Sequence, residues 1–114
     1  MKTLLSSRLA LLHSHPGVLQ GIQRGIEMEG LRVDAHGQLC MTPHPILLGS
    51  ALTHPRITTA YSEALLELIT GTHRRVDALI DDIELIHRIT VAGLGEEPIW
   101  VHSMPALLPA ELDF

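Results

Sequence analysis

Glu27 and Glu29 alternate with Ile26 and Met28 in the run Gln23-Arg24-Gly25-Ile26-Glu27-Met28-Glu29-Gly30-Leu31-Arg32-Val33, and this alternation restricts the fold more than any other feature. In an extended strand successive side chains point to opposite faces, so the two carboxylates share one face and the apolar pair shares the other. At a rise of about 3.3 Å per residue the carboxylates leave the backbone roughly 6–7 Å apart. That separation lets them converge on one or two bound cations. The same pattern also describes the polar outer face of a half-buried strand, where most glutamates are found. Taken alone, these residues favour that plainer reading. Asp34-Ala35-His36-Gly37 follows as a turn, with 38–41 as a candidate return strand.

A strand needs a core to sit on, and the composition supplies one. With 46% hydrophobic and 18% charged residues, the 114-residue chain reads as one folded domain spanning 1–114. Tyr61, Trp100 and Phe114 are its only aromatics, so the core is built from Leu, Ile, Val and Ala. A net charge of −5, with Arg74-Arg75 the only basic doublet, argues against nucleic acid as a partner. Cys40 is the single cysteine and cannot form an internal disulfide. Arg8 interrupts the first apolar run too early for a signal-peptide core, and no run approaches the roughly 20 apolar residues of a membrane span. The expected setting is the cytoplasm, with no membrane partner.

Ser6 or Ser7 is a candidate N-cap for a helix carrying Leu9, Leu11 and Leu12, and Pro16 stops that helix or starts another short one. Residues 42–50 contain Pro43, Pro45 and Gly49 and read as loop with one helical turn. Over 57–70, Ala, Leu and Glu favour a helix by propensity. The run 64–69 is equally compatible with a strand buried on both faces, and periodicity does not separate the two. Glu67 lies among Leu65, Leu66, Leu68 and Ile69, where a carboxylate is costly unless paired, hydrogen-bonded or metal-bound. Its alternative is the wet side of an amphipathic helix beside Glu63.

Residues 72–94 form the clearest helix, with Val76, Leu79, Ile80, Ile83, Ile86 and Thr90 at helical spacing and Gly93 and Gly95 as stops. Asp77, Asp81, Asp82 and Glu84 are expected on its wet side. The tail has the apolar run Ile99-Trp100-Val101, two prolines and an acidic end.

Several chemistries are excluded. There is no Gly-rich loop ending in Lys-Ser or Lys-Thr, and no Gly-x-Ser-x-Gly. Cys40 has no neighbouring base in sequence. His13-Ser14-His15 falls in a helix-to-proline junction, and His36, His44 and His54 lack the close-set partners of a zinc site, so isolated surface histidines are expected. No catalytic residue is assigned. What remains is acidic: Glu27, Glu29 and Glu67, residues that suit a hard divalent cation.

The wording of the chain adds to its periodicity. The segment from Gly21 to Val33, Thr42-Pro43-His44-Pro45, Leu48-Gly49-Ser50-Ala51-Leu52-Thr53-His54-Pro55 and Ile57-Thr58-Thr59 resemble bacterial glutamate–cysteine ligase of the proteobacterial type. So do the segment from Ser62 to Thr70, Ile86-His87-Arg88 and Ser103-Met104-Pro105. The resemblance runs in order from Ser7 to about Pro109 and concerns the N-terminal part of that family.

It implies an α+β fold, a fragment of a glutamine-synthetase-like architecture with helices packed on a small, largely antiparallel sheet. That favours the strand over the helix for 64–70. It also implies ATP and magnesium (or manganese) as cofactors, and glutamate and cysteine as substrates joined into γ-glutamylcysteine, the first step to glutathione. Glu27, Glu29 and Glu67 then fall on acidic positions of the metal and nucleotide site. The family usually has an acidic residue after Thr58-Thr59, where this chain has Ala60, and its members are several times longer. The expectation is a segment inactive alone. The alternative is a non-enzymatic interaction module or one half of a split ligase, pairing through its sheet edge with a second copy or a complementary ligase chain.

Overall fold

A computed structural model describes residues 3–110. Helix α1 (Leu4–Ser14) leads into a 3-10 turn (Pro16–Leu19), then strand β1 (Glu27–Leu31) and a second 3-10 turn (Ile46–Leu48). Strands β2 (Ile57–Thr59) and β3 (Leu65–Ile69) and the long helix α2 (Val76–Leu94) complete the order. The strands form one sheet in the order β1-β3-β2, with both pairings antiparallel. This is the expected α+β organisation.

The core lies between one face of the sheet and α2. Leu66 and Leu68 of β3 are buried to 0% and 1% exposure and pack with Ile57, Leu48, Ile86 and Leu94. The helix favoured by propensity over 57–70 is therefore not formed. Propensity differences of a few tenths of a kcal/mol per residue yield to a central strand hydrogen-bonded on both edges with alternate leucines buried. Gly93 lies inside α2 rather than ending it, because Leu48 packs against its Cα where a side chain would collide. Gly95, at φ 64°, is the actual stop.

Other boundaries shift for local reasons. The N-cap of α1 is Thr3, whose hydroxyl accepts the N–H of Ser6 at 3.2 Å, rather than Ser6 or Ser7. The turn at 34–37 forms, with Gly37 at φ 77°, but its return segment makes only isolated bridges. Leu39 N–H is drawn away to the carbonyl of Leu107 at 2.8 Å, which prevents a regular hairpin. The single helical turn expected within 42–50 is the 3-10 turn at Ile46–Leu48. The acidic end, residues 111–114, lies outside the described residues.

Two polar clusters absent from the sequence reading tie these pieces together. Arg32, directly after β1, is fully buried. Its guanidinium donates to Glu97 Oε2 at 2.6 Å, to Thr42 Oγ1 at 2.9 Å and to Thr42 O at 2.6 Å. It also donates twice to Glu63 O, at 3.2 and 3.0 Å. One side chain thus fastens the end of β1 to three loops.

The second cluster corrects the reading of α2. Asp82 is not on the wet side: its Oδ2 accepts from Gly71 N–H at 2.9 Å and from His73 Nε2 at 2.7 Å, and its Oδ1 accepts from Arg56. These bonds occupy the segment before α2, which is why the helix begins at Val76 rather than Thr72. Hydrogen bonds from Arg56 and then His73 hold the Asp82 carboxyl well below the usual carboxylate range, Gly71 N–H adds to this, and burial works against it.

Replacing Arg32 by Ala removes the charged donor of Glu97, which keeps only the Thr42 hydroxyl at 2.8 Å among the described residues, and takes the guanidinium from the Thr42 and Glu63 carbonyls. The expected loss is about 3–5 kcal/mol in urea denaturation. For Asp82 the native pKa lies below the unfolded value of about 3.9, so its contribution is complete above pH 4 and fades as pH falls. Asp82→Asn should therefore be less stable than wild type at pH 7 and show a flatter decline of the urea midpoint below about pH 4. An unchanged acid limb would contradict this role.

Candidate functional site

The register of the sheet decides where the three glutamates stand. Glu29 lies opposite Glu67 across β1 and β3, Glu67 lies opposite Thr58 of β2, and Glu27 is two residues from Glu29 on the same face. Thr70 N–H bonds to Ile26 O at 3.0 Å and Arg32 N–H to Ala64 O at 2.7 Å, at the two ends of the β1–β3 ladder. Hydrogen-bonded pairs alternate with non-bonded ones, so Glu29–Glu67 falls in a non-bonded position, where Cα atoms approach to about 4.5 Å. The side chains at such a position are the closest in the sheet.

Met28, Leu66, Leu68 and Ile57 take the other face, against α2. The carboxylate face is left open, with Glu27 and Glu29 exposed and Glu67 half-buried. Glu67 thus avoids the costly apolar setting its sequence neighbours implied. Strand alternation sends Leu66 and Leu68 one way and Glu67 the other.

Like charges directly opposite one another destabilise a sheet by roughly 0.2–1 kcal/mol. Among the described residues, Glu27, Glu29 and Glu67 enter no ion pair that would offset this. Their oxygens match the donor preference of magnesium or manganese, which take a few carboxylates and fill their remaining positions with water and phosphate. Among the described residues no group of three or more His, Cys, Asp or Glu is gathered tightly enough to hold a metal by itself. The three carboxylates share one open face of the sheet. Ala60 continues it beyond β2, with its N–H on Leu65 O at 3.0 Å, and contributes only a methyl group.

Two hollows flank this face. One, of about 350 Å³, is lined by Cys40, Met41, Thr42, Tyr61, Ser62, Glu63 and Ala64 at the Leu65 end of β3. The other, of about 300 Å³, lies at the opposite end and includes Glu27 with Gly25, Ile26, Ile69, Thr70 and Thr72. Cys40 is buried, and burial, followed by the nearby Glu97 charge, pushes its thiol up. It stays protonated, in keeping with the absence of a cysteine nucleophile.

The histidines are less uniform than expected. His13, His15 and His36 are exposed. His54 is structural: its Nδ1 accepts from the N–H groups of Arg56 and Ile57 at 3.2 and 2.8 Å. His44 has both ring nitrogens buried without a hydrogen-bond partner among the described residues. Burial and the Arg32 charge lower its pKa, so it is held neutral. Neither His44 nor His54 fits the isolated surface reading, and no sequence pattern marks the difference.

Residues 9–114 match the sequence pattern of the family described as glutamate-cysteine ligase. The chain is 57% identical over 108 residues to a glutamate–cysteine ligase of Bordetella petrii, covering 95% of this chain and 20% of that protein. It is 52% identical over 115 residues to one of Azotobacter vinelandii, covering 99% and 22%. Its fold is similar to a crystal structure of glutamate–cysteine ligase from Francisella tularensis in complex with AMP, with a TM-score of 0.73 and 40% identity over 76% of this chain and 18% of that one. A bifunctional glutathione synthetase from Pasteurella multocida matches with a TM-score of 0.77 and 37% identity, over 88% and 14%. The chain thus spans about a fifth of the length of the curated relatives it matches.

Proposed function

Since the chain belongs to the glutamate–cysteine ligase family, we propose that it furnishes the metal-holding carboxylate face for ATP-dependent joining of glutamate to cysteine, and that it does not complete this reaction unaided. The observation that carries the proposal is the Glu29–Glu67 pair, set opposite each other on an open face with Glu27 beside them. The AMP in the Francisella relative supports nucleotide use by the same fold.

In this reading Glu27, Glu29 and Glu67 hold magnesium or manganese. The ion supplies positive charge beside the ATP phosphates and stabilises the charge that builds on the transferring phosphoryl group. The chain itself supplies placement. Leu66 and Leu68 lock β3 onto α2, and antiparallel pairing on both sides keeps Glu67 between Glu29 and Thr58. The acidic side chains are therefore positioned by the sheet before any ligand arrives, which lowers the cost of ordering them on binding. Glutamate, cysteine and ATP are the substrates, and the cytoplasm the setting. Among the described residues no helix is long and apolar enough to cross a membrane.

Incompleteness is supported by Ala60, which extends the carboxylate face without a ligand atom. A second reading, an interaction module that pairs through its sheet edge, gains from the large apolar surface of the chain. The edges themselves are small. β2 has three residues, and the end of β1 is already engaged by Val33 N–H on Pro98 O and Trp100 N–H on Leu31 O.

Calorimetric titration of the 114-residue protein with manganese tests the metal face. Heat of binding is expected for wild type and lost in Glu29→Gln and Glu67→Gln; identical heats in all three would end the proposal. No phosphate release above background is expected with ATP, glutamate and cysteine. Cysteine-dependent release by the purified chain would overturn the claim of incompleteness.

A further inference from the structure

The β1–β3 ladder does not end cleanly at Glu27. Thr70 N–H bonds to Ile26 O at 3.0 Å, but Ile26 N–H turns to the Thr70 hydroxyl at 2.8 Å rather than to its carbonyl. One step further on, Arg24 and His73 exchange both backbone bonds, at 2.9 and 2.8 Å. Between these two pairs Gly25 stands alone against Gly71 and Thr72. The chain after β3 thus carries one extra residue, a β-bulge placed directly beyond Glu27. A bulge bends and twists its strand and re-aims the side chains beside it. Glu27, Gly25, Thr70 and Thr72 share the hollow of about 300 Å³ at this end of the sheet.

The extra residue of a bulge has no ladder partner. Here Gly71 N–H finds one outside the sheet, donating to Asp82 Oδ2 on α2 at 2.9 Å. The same oxygen accepts from Nε2 of His73, the residue that closes the bulge, at 2.7 Å. Asp82 Oδ1 accepts from the guanidinium of Arg56, which leads into β2 and whose Nε donates to Ile69 O at 3.2 Å. Ile69 is the register partner of Glu27. One carboxylate therefore reaches the extra residue, the closing pair and, through Arg56, the residue opposite Glu27. Its side chain is only 13% exposed, and hydrogen bonds held out of water are stronger than those in it.

We propose that Asp82 is a positioning residue for the carboxylate face: by holding the bulge at Gly71 and Thr72, it aims Glu27 at the ion shared with Glu29 and Glu67. This rests on the metal reading above. Glu29 and Glu67 lie inside the regular ladder, braced by pairs on either side. Glu27 sits at its end and, among the described residues, enters no ion pair, so its aim follows from the backbone beneath it. Asp82 belongs to α2, which packs on the opposite face of the sheet, and acts on Glu27 through that backbone rather than by joining the ligands.

Manganese titration of the labelled chain, by calorimetry and nuclear magnetic resonance, tests this. Loss of a group that orients metal ligands costs about 10–100-fold in affinity, so Asp82→Ala should bind manganese roughly 10-fold more weakly than wild type. Broadening of the Glu27 amide should also fall relative to that of Glu67. His73→Ala should move both readouts the same way, and His73→Gln, whose amide nitrogen replaces Nε2 as donor, should restore them. The His73 pair carries the test where Asp82→Ala does not fold. A merely structural role lowers the urea midpoint alone. Unchanged affinity with an unchanged Glu27-to-Glu67 broadening ratio would therefore overturn the proposal. Absence of binding by wild type would instead end the metal reading, and amide exchange in the metal-free chain then tests the hold on the bulge by itself. Gly71, His73 and Thr70 amides should exchange at least about 10-fold faster in Asp82→Ala, with Leu66 and Leu68 close to wild type. Equal acceleration over the whole sheet would contradict that hold.

Discussion

Burial of Leu66 and Leu68 against α2 is the constraint on which both the fold and the candidate site depend. It fixes which face of β3 looks inward, and antiparallel pairing transmits that choice to β1 and β2. A slip of one residue would turn Glu67 into the core and a leucine onto the open face. The acidic face is therefore a consequence of packing on the opposite side of the sheet. Arg32 reinforces the arrangement from the end of β1, where a buried guanidinium gathers Thr42, Glu63 and Glu97 around one point.

The legible parts of the chain were those with a strong local pattern. Alternation around Glu27 and Glu29 marked β1, helical spacing from Val76 onward marked α2, and prolines marked the breaks. The β3 segment was ambiguous because an apolar run does not reveal its own period, and resemblance rather than propensity decided it correctly. Long-range polar contacts were not legible. Arg32 and Glu97 are 65 positions apart, and Arg56 meets Asp82 across 26. Nothing in the spacing of either pair announces the contact, so sequence alone places Asp82 in solvent although it anchors the approach to α2.

For the candidate site, composition and spacing could nominate Glu27 and Glu29, but only the register showed that Glu67 joins them on one face, at a non-bonded position of the ladder. Ala60 extends the face without a donor, and the three carboxylates stand side by side rather than closing on a point. An open acidic face on the sheet and an apolar α1 that buries none of its residues are the two surfaces that the described residues leave without a covering element.

The central claim, that the glutamates of β1 and β3 act together on one divalent cation, is tested most directly by manganese-induced relaxation in nuclear magnetic resonance spectra of the labelled chain. Amide signals of Glu27–Leu31 and Leu65–Ile69 should broaden together at the lowest manganese additions, while those around Asp77, Asp81 and Glu84 on α2 stay sharp. Broadening centred on α2, or spread evenly over all acidic residues, would contradict the account.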